Sequence, residues 1–150
     1  DPKLERANLV KEKVDCALKY IFESSDDKKD LIVPDYDSMI SDLVTARHEA
    51  CSAKDSINEL ALTFAEGFVA FIASAPEANS KSGVETHYAR CADAMQSYWH
   101  LREELEREIK DQEVLEPPLK IGDIAALACT AHAHMQLQLS HKAQPFFERY

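Results

Sequence analysis

Glycine is scarce in this chain of 150 residues: only 3 are present, and none lies between Asp1 and Glu66. Proline is absent from Asp35 to Ala75. These two residues are the strongest interrupters of helices. Their scarcity, together with apolar residues that recur at helical spacing, predicts long α-helices.

Several catalytic signatures are also absent. Without a glycine-rich phosphate loop, the common nucleotide-hydrolysing classes are excluded. Carboxylate-bridged di-iron bundles need paired Glu-x-x-His motifs, and the nearest match, from His100 to Glu103, is single and reversed. We therefore assign no catalytic residue and no cofactor. An enzymatic role would require a partner domain outside this sequence.

Basic residues are too few for a polyanion-binding surface. The chain has 17 Lys and Arg against 27 Asp and Glu, a net charge of -10. Such a field repels phosphate backbones and anionic membranes. The densest basic run, Lys28-Lys29, makes no stripe. We expect partners other than nucleic acid or membrane.

Cysteine spacing argues against a disulfide scaffold, which would be short and cysteine-dense. There is no CxxC motif, and no signal peptide is recognisable. The strongly apolar stretch at 60–75 is short for a membrane span and contains Glu66. We therefore expect reduced thiols and an intracellular, cytoplasmic protein. The cysteines are Cys16, Cys51, Cys91 and Cys129.

Length and composition fit one globular domain, with 45% hydrophobic and 29% charged residues. Because the sequence starts without Met, we expect a domain excised from a longer chain. Helical periodicity predicts an all-α up-down bundle of four to five helices. The predicted helices span about 2–23, 35–75, 84–113 and 120 or 123 to 142.

The second predicted helix has two possible forms. Ser52 and Ser56 each precede an acid by three residues, as in a capping box. A kink or restart near 53–56 is therefore an alternative to one continuous helix. Its seam would carry Ile57, Phe64 and Phe68 in the core. Before it, residues 31–33 predict an extended segment packed against the bundle, since Pro34 disfavours helix there.

The leading functional interpretation is a non-enzymatic interaction module, such as a scaffold, adaptor or regulatory domain. It would bind another protein or a second copy through a helical face. Aromatic residues anchor interfaces and charges orient them. The third predicted helix places both side by side. The candidate protein-binding residues are Tyr98, Trp99, Arg102, Glu103 and Glu106.

One alternative is an enzyme accessory domain that needs a partner domain, and two others remain open. A ligand-binding bundle would use an interior pocket formed by Phe64, Phe68, Met95 and His132. A metal site would use His87, Cys91 and His141. A hairpin turning about 115–118 puts Cys91 level with His141, so Cys91 would not face Cys129.

Overall fold

A computed structural model describes residues 1–23, 31–110 and 121–137. This part of the chain contains five α-helices, one short 3-10 helix and no strand, which confirms the predicted all-α class. Residues 111–113 and 138–142, also predicted as helical, lie outside the described ranges. The elements are α1 (Pro2–Phe22), α2 (Tyr36–Ser52), α3 (Ser56–Ala73), the 3-10 helix (Pro76–Ala78), α4 (Val84–Lys110) and α5 (Ile121–Gln136).

Helix α3 occupies the centre of the bundle, in contact with the other four α-helices. Consecutive α-helices run in opposite directions, as expected for up-down connections. Helix α1 therefore runs parallel to α3. At one end Asn58 Nδ2 donates to the carbonyl of Lys3 at 2.9 Å, and at the other Asn79 Nδ2 donates to the Tyr20 hydroxyl at 3.1 Å.

The segment predicted as one long helix is two helices. Lys54 has a φ of 56°, a left-handed conformation that ends α2. Asp55 then restarts the chain as the N-cap of α3. Its carboxylate accepts from Asn58 at 2.7 Å and from Arg6 at 3.1 Å, and these hydrogen bonds lower the pKa of Asp55. The restart near 53–56 is thus the form adopted.

The break changes which face of α3 is buried. Ile57 is 74% exposed, so the predicted core seam is wrong at its first member, whereas Phe64 and Phe68 are partly buried and pack against the core. A left-handed residue between two helices shifts their rotational phase, and a seam cannot be extended across it. The completely buried hydrophobic side chains of α3 are Leu62, Ala65, Val69 and Ala70.

The segment before α2 also differs from expectation. Residues 32–35 lack regular structure, as predicted, but Ile32 is 92% exposed. The expectation that 31–33 packs against the bundle is wrong for Ile32 and Val33. Asp35 caps α2 by accepting from Ser38 N at 3.1 Å, and this turn into the helix leaves the preceding residues on the outside.

Within the described ranges, α3 is the helix that is long and apolar enough to cross a membrane by length and composition alone. The core helix of a bundle passes the same test. The central position of α3, in contact with every other α-helix, accounts for its apolar composition.

Candidate functional site

The aromatic pair predicted to anchor a partner lies in the core. Trp99 is 1% exposed and Tyr98 is 5% exposed. The indole Nε1–H of Trp99 donates to Oγ1 of Thr130 on α5 at 3.0 Å. The expectation that Trp99 is a surface anchor is wrong, because α5 packs over the face of α4 that carries it.

The charged residues next to this pair already have partners within the chain. Arg102 Nη1 lies 2.7 Å from Glu106 Oε1, one turn further along α4. Arg102, Glu103 and Glu106 are all partly buried, and each makes further interactions inside the molecule. A role for these three residues in partner binding stays a prediction.

The predicted ligand-pocket residues are spread along the junction of α3 with α4 and α5. Phe64 and Phe68 stack with their ring centroids 5.4 Å apart. The ring centroids of His132 and Phe71 lie 5.3 Å apart in an edge-to-face arrangement. Met95 is fully buried against α3. The structure therefore gathers Phe64 with Phe68 but places His132 beside Phe71, and ligand binding here stays a prediction.

Helix α5 packs on α4 in a different register from the predicted one. The Tyr88 hydroxyl lies 3.2 Å from Nε2 of His132, and Cys91 Sγ lies 3.8 Å from the carbonyl oxygen of Cys129. Cys91 is thus level with Cys129, which the predicted register did not allow. The prediction counted equal numbers of residues on both helices from a turn at 115–118. A connection between two helices need not be symmetric in this way.

The predicted metal ligands make other contacts. His87 Nε2 lies 2.7 Å from Ser80 Oγ, and the Cys91 thiol donates to the backbone carbonyl of Cys129. His141 lies outside the described residues. Across residues 1–23, 31–110 and 121–137, no group of three or more His, Cys, Asp or Glu side chains could hold a metal ion.

A cluster of polar side chains fastens the start of α2 to the start of α4. We call it the polar joint. Arg90 Nη1 and the Ser82 hydroxyl both donate to the Asp37 carboxylate. These two hydrogen bonds lower the pKa of Asp37, so this carboxylate is charged at neutral pH. The polar joint consists of Asp37, Ser80, Ser82, His87 and Arg90.

His87 is the buried member of the polar joint, with no exposed surface. Burial lowers its pKa, with a further contribution from Arg90, so its ring is neutral at pH 7. A serine hydroxyl against a neutral imidazole is the geometry of a nucleophile and its base. However, Nδ1 of His87 has no hydrogen-bond partner in the described structure, and Asp37 is held by other donors. The Ser80–His87 contact therefore fits a structural fastening better than a catalytic pair.

Four large apolar side chains are exposed where α1 ends and where α2 and α4 begin. The polar joint connects α2 to α4, and the Asn79–Tyr20 hydrogen bond connects α1 to the segment after α3. The four side chains therefore lie at one end of the bundle, which we call the apolar end. They are Phe22, Ile32, Val33 and Val84, with exposed fractions of 81%, 92%, 37% and 50%.

Acidic residues outnumber basic ones beside the apolar end. Within three positions of its members, the described sequence has the acids Glu23, Asp35 and Glu85 against the bases Lys19 and Lys81. The local excess is small, but it has the same sign as the net charge of -10 on the whole chain. The local acidic excess and the negative net charge both favour a basic ligand, because they attract positive charge.

Among the residues whose side chains the structure describes, the opposite end of the bundle carries fewer exposed large apolar groups. Leu4 is 59% exposed and Ile57 is 74% exposed. The hydrogen bond from Asn58 to the Lys3 carbonyl brings their two helices together there. These two residues provide a matched comparison for the apolar end.

A partly buried ion pair links α2 and α3 away from both ends. Arg47 Nε lies 3.0 Å from Glu66 Oε2, although the angle at the N–H is not that of a hydrogen bond. Burial raises the pKa of Glu66, and Arg47 partly opposes this. The pair offsets the cost of placing Glu66 against the core, and we assign it a structural role.

Sequence reasoning missed the apolar end. The available signals were Phe22 beyond the apolar stripe of α1 and Ile32 between a polar run and Pro34, but neither indicates exposure by itself. The exposure of these side chains depends on how the helix ends are arranged, which the sequence pattern does not contain.

No protein-family model matches this chain, and neither a curated protein nor a solved structure matches it.

Proposed function

We propose that this chain is a non-enzymatic helical module that binds another protein through the apolar end. The observation that supports this most is the exposure of Phe22, Ile32, Val33 and Val84 at one end of the bundle. Single exposed apolar side chains are ordinary, whereas grouped ones mark interaction sites. Covering them would contribute about 25 cal/mol per Å² of buried apolar surface.

The apolar end supports this role better than the face predicted around Trp99. An interface anchor must be free to bury its ring against a partner. Trp99 is already buried under α5, whereas Phe22 and Ile32 are largely exposed. The proposed binding surface therefore lies on the helix ends and the segment before α2, and not on the side of α4.

The partner we propose is an amphipathic helix with Lys and Arg beside its apolar face. Such helices bind by laying their apolar side chains against a hydrophobic surface. The net charge of -10 and the acids near the apolar end would attract the basic flanks. Attraction of this kind mainly speeds association and weakens as salt is added.

The double variant Phe22→Ser/Ile32→Ser tests this proposal. Affinity purification with mass spectrometry first finds proteins retained by the wild type and lost by the variant. The purified candidate is then titrated calorimetrically against both. We expect at least tenfold weaker binding by the variant, about 1.4 kcal/mol, with unchanged helicity by circular dichroism. Binding of the wild type should also weaken with salt.

Leu4→Ser/Ile57→Ser is the matched control, since it removes two exposed apolar side chains at the opposite end. We expect it to bind like the wild type. Equal losses in both variants, or no loss in either, would contradict a site at the apolar end. Analytical ultracentrifugation addresses self-association. A wild-type dimer that Phe22→Ser/Ile32→Ser dissociates would make a second copy the occupant and overturn the choice of a basic partner.

A further inference from the structure

The four cysteines fall into two groups. Cys16 on α1 and Cys51 on α2 are exposed, whereas Cys91 on α4 and Cys129 on α5 are buried. All four are free thiols in the structure. The buried two face each other across one helix junction, with Cys91 Sγ 3.8 Å from the Cys129 carbonyl oxygen.

Small side chains surround Cys129 on the buried face of α5. About one turn before it and one turn after it lie Ala126 and Ala133, each with no exposed surface. A seam of alanine and cysteine permits a short distance between helix axes. A disulfide requires Cα atoms about 4.4–6.8 Å apart, and small side chains at the junction favour so close an approach.

We propose that Cys91 and Cys129 form a reversible redox site whose disulfide bonds α5 to α4. The oxidant is a low-molecular-weight disulfide. One protein thiolate attacks it to give a mixed disulfide and releases one small thiol. The second protein thiolate then attacks the protein sulfur of that mixed disulfide and releases the other small thiol. In total, two protein thiols are oxidised, one small disulfide is reduced to two thiols, and the two protons pass to the leaving thiolates.

Access should make this reaction slow. The hydrogen bond with Cys129 and burial both raise the pKa of Cys91, and only thiolates attack disulfides. The pair must therefore become exposed before it reacts. Helix α5 packs mainly on α4 and more lightly on α3, so its local opening is the simplest route. Exposed Cys16 and Cys51 should react sooner, but they lie on other helices.

The inference is independent of the proposed partner. Cys91 and Cys129 lie inside the α4–α5 junction, and the apolar end can bind whether they are reduced or oxidised. A bond here would close the chain between 91 and 129 and hold α5 over Trp99. The oxidised protein should therefore resist unfolding better than the reduced protein.

The experiment uses the full chain with Cys16→Ser and Cys51→Ser, so that the buried pair supplies the only thiols. The protein is incubated with glutathione disulfide and followed by intact-mass spectrometry. We expect the loss of two hydrogen atoms, a peptide joined through Cys91 and Cys129 after proteolysis, and a higher urea midpoint. Dithiothreitol should reverse all three changes.

The variant with Cys129→Ala added to this background is the control, and it should show no loss of hydrogen. Circular dichroism checks that each variant keeps its helices. Thiols that stay free in the double-serine protein would overturn the proposal, and so would stable addition of glutathione to both. These outcomes are read on a protein whose buried pair is unchanged, so poor folding of the control cannot hide them.

Discussion

Individual side chains decide how the helices close against each other, and Trp99 shows this most clearly. Its ring fills the space between α4 and α5, and its Nε1–H donates to Thr130 Oγ1 at 3.0 Å. We expect Trp99→Ala to lower the free energy of unfolding by about 3–5 kcal/mol, since a large buried ring is lost. Urea titration monitored by circular dichroism measures the change. A cost below about 1 kcal/mol would mean that α5 does not cover the ring.

Thr130→Val separates the hydrogen bond from the packing. Valine has nearly the same shape but cannot accept the indole proton. Leaving a buried donor without a partner costs about 1–3 kcal/mol, so this variant should lie between the wild type and Trp99→Ala. The variant also removes the hydrogen bond that Thr130 Oγ1 donates to the Ala126 carbonyl at 2.6 Å. A loss as large as that of Trp99→Ala would show that Thr130 contributes more than these two hydrogen bonds.

The burial of Trp99 could not be deduced from the sequence alone. Helical spacing correctly puts Tyr98 on a core-facing stripe and Trp99 beside it. Whether the neighbouring position is buried depends on a further helix arriving at that side. Both residues are closed off because α3 and α5 pack on α4 from different sides. Spacing within one helix contains no information about the placement of another.

At the scale of whole helices, Gly67 controls how closely α3 approaches α4. A Cβ added there would lie 2.5 Å from Met95 Cε and 3.2 Å from Ala94 Cβ. Alanine is the better helix former by about 1 kcal/mol, while overpacking a core costs about 1–3 kcal/mol. We expect the clash to win, so that Gly67→Ala destabilises the protein in urea titration.

A double-mutant cycle with Met95→Ala checks the cause. Removing the Met95 side chain should free the space, so Gly67→Ala should cost less in that background, with a coupling of at least about 0.5 kcal/mol. If Gly67→Ala instead stabilises the otherwise unchanged protein, the two helices are not in close contact at this point.

The sequence predicts the existence of the helices far better than their relative placement. Periodic segments and scarce glycine suffice for α1 and α4, and the capping signals marked the break between α2 and α3. The rotation of α3 relative to α2 could not be predicted, because it depends on the φ of a single residue, Lys54. The register of α5 against α4 could not be predicted, because the length of a connection does not determine where the next helix packs. Which candidate site residues lie close together could not be predicted for the same reason, since it depends on contacts between helices.

At the scale of the molecule, several charged groups set the response to pH with opposite signs. Hydrogen bonds lower the pKa of Asp37 and Asp55, so both contribute stability above their ordinary value of 3.8 that is lost in acid. Burial raises the pKa of Glu66, which favours its neutral form and opposes this trend. Near neutral pH Asp37 and Asp55 stay charged, and His87 is a buried group whose protonation can be tested separately.

The sign for His87 follows from its lowered pKa. The unfolded chain takes up a proton near the ordinary value of 6.5, whereas folded His87 takes it up only at lower pH. The contribution of His87 to stability is therefore greatest above 6.5 and declines as the pH falls below it. We expect the free energy of unfolding, measured in urea from neutral to mildly acidic pH, to fall in the wild type and to fall less in His87→Gln. Glutamine can still hydrogen-bond to Ser80 but carries no charge. If His87→Gln keeps the wild-type slope, the decline comes from other groups, and the polar joint does not confer pH sensitivity on the fold.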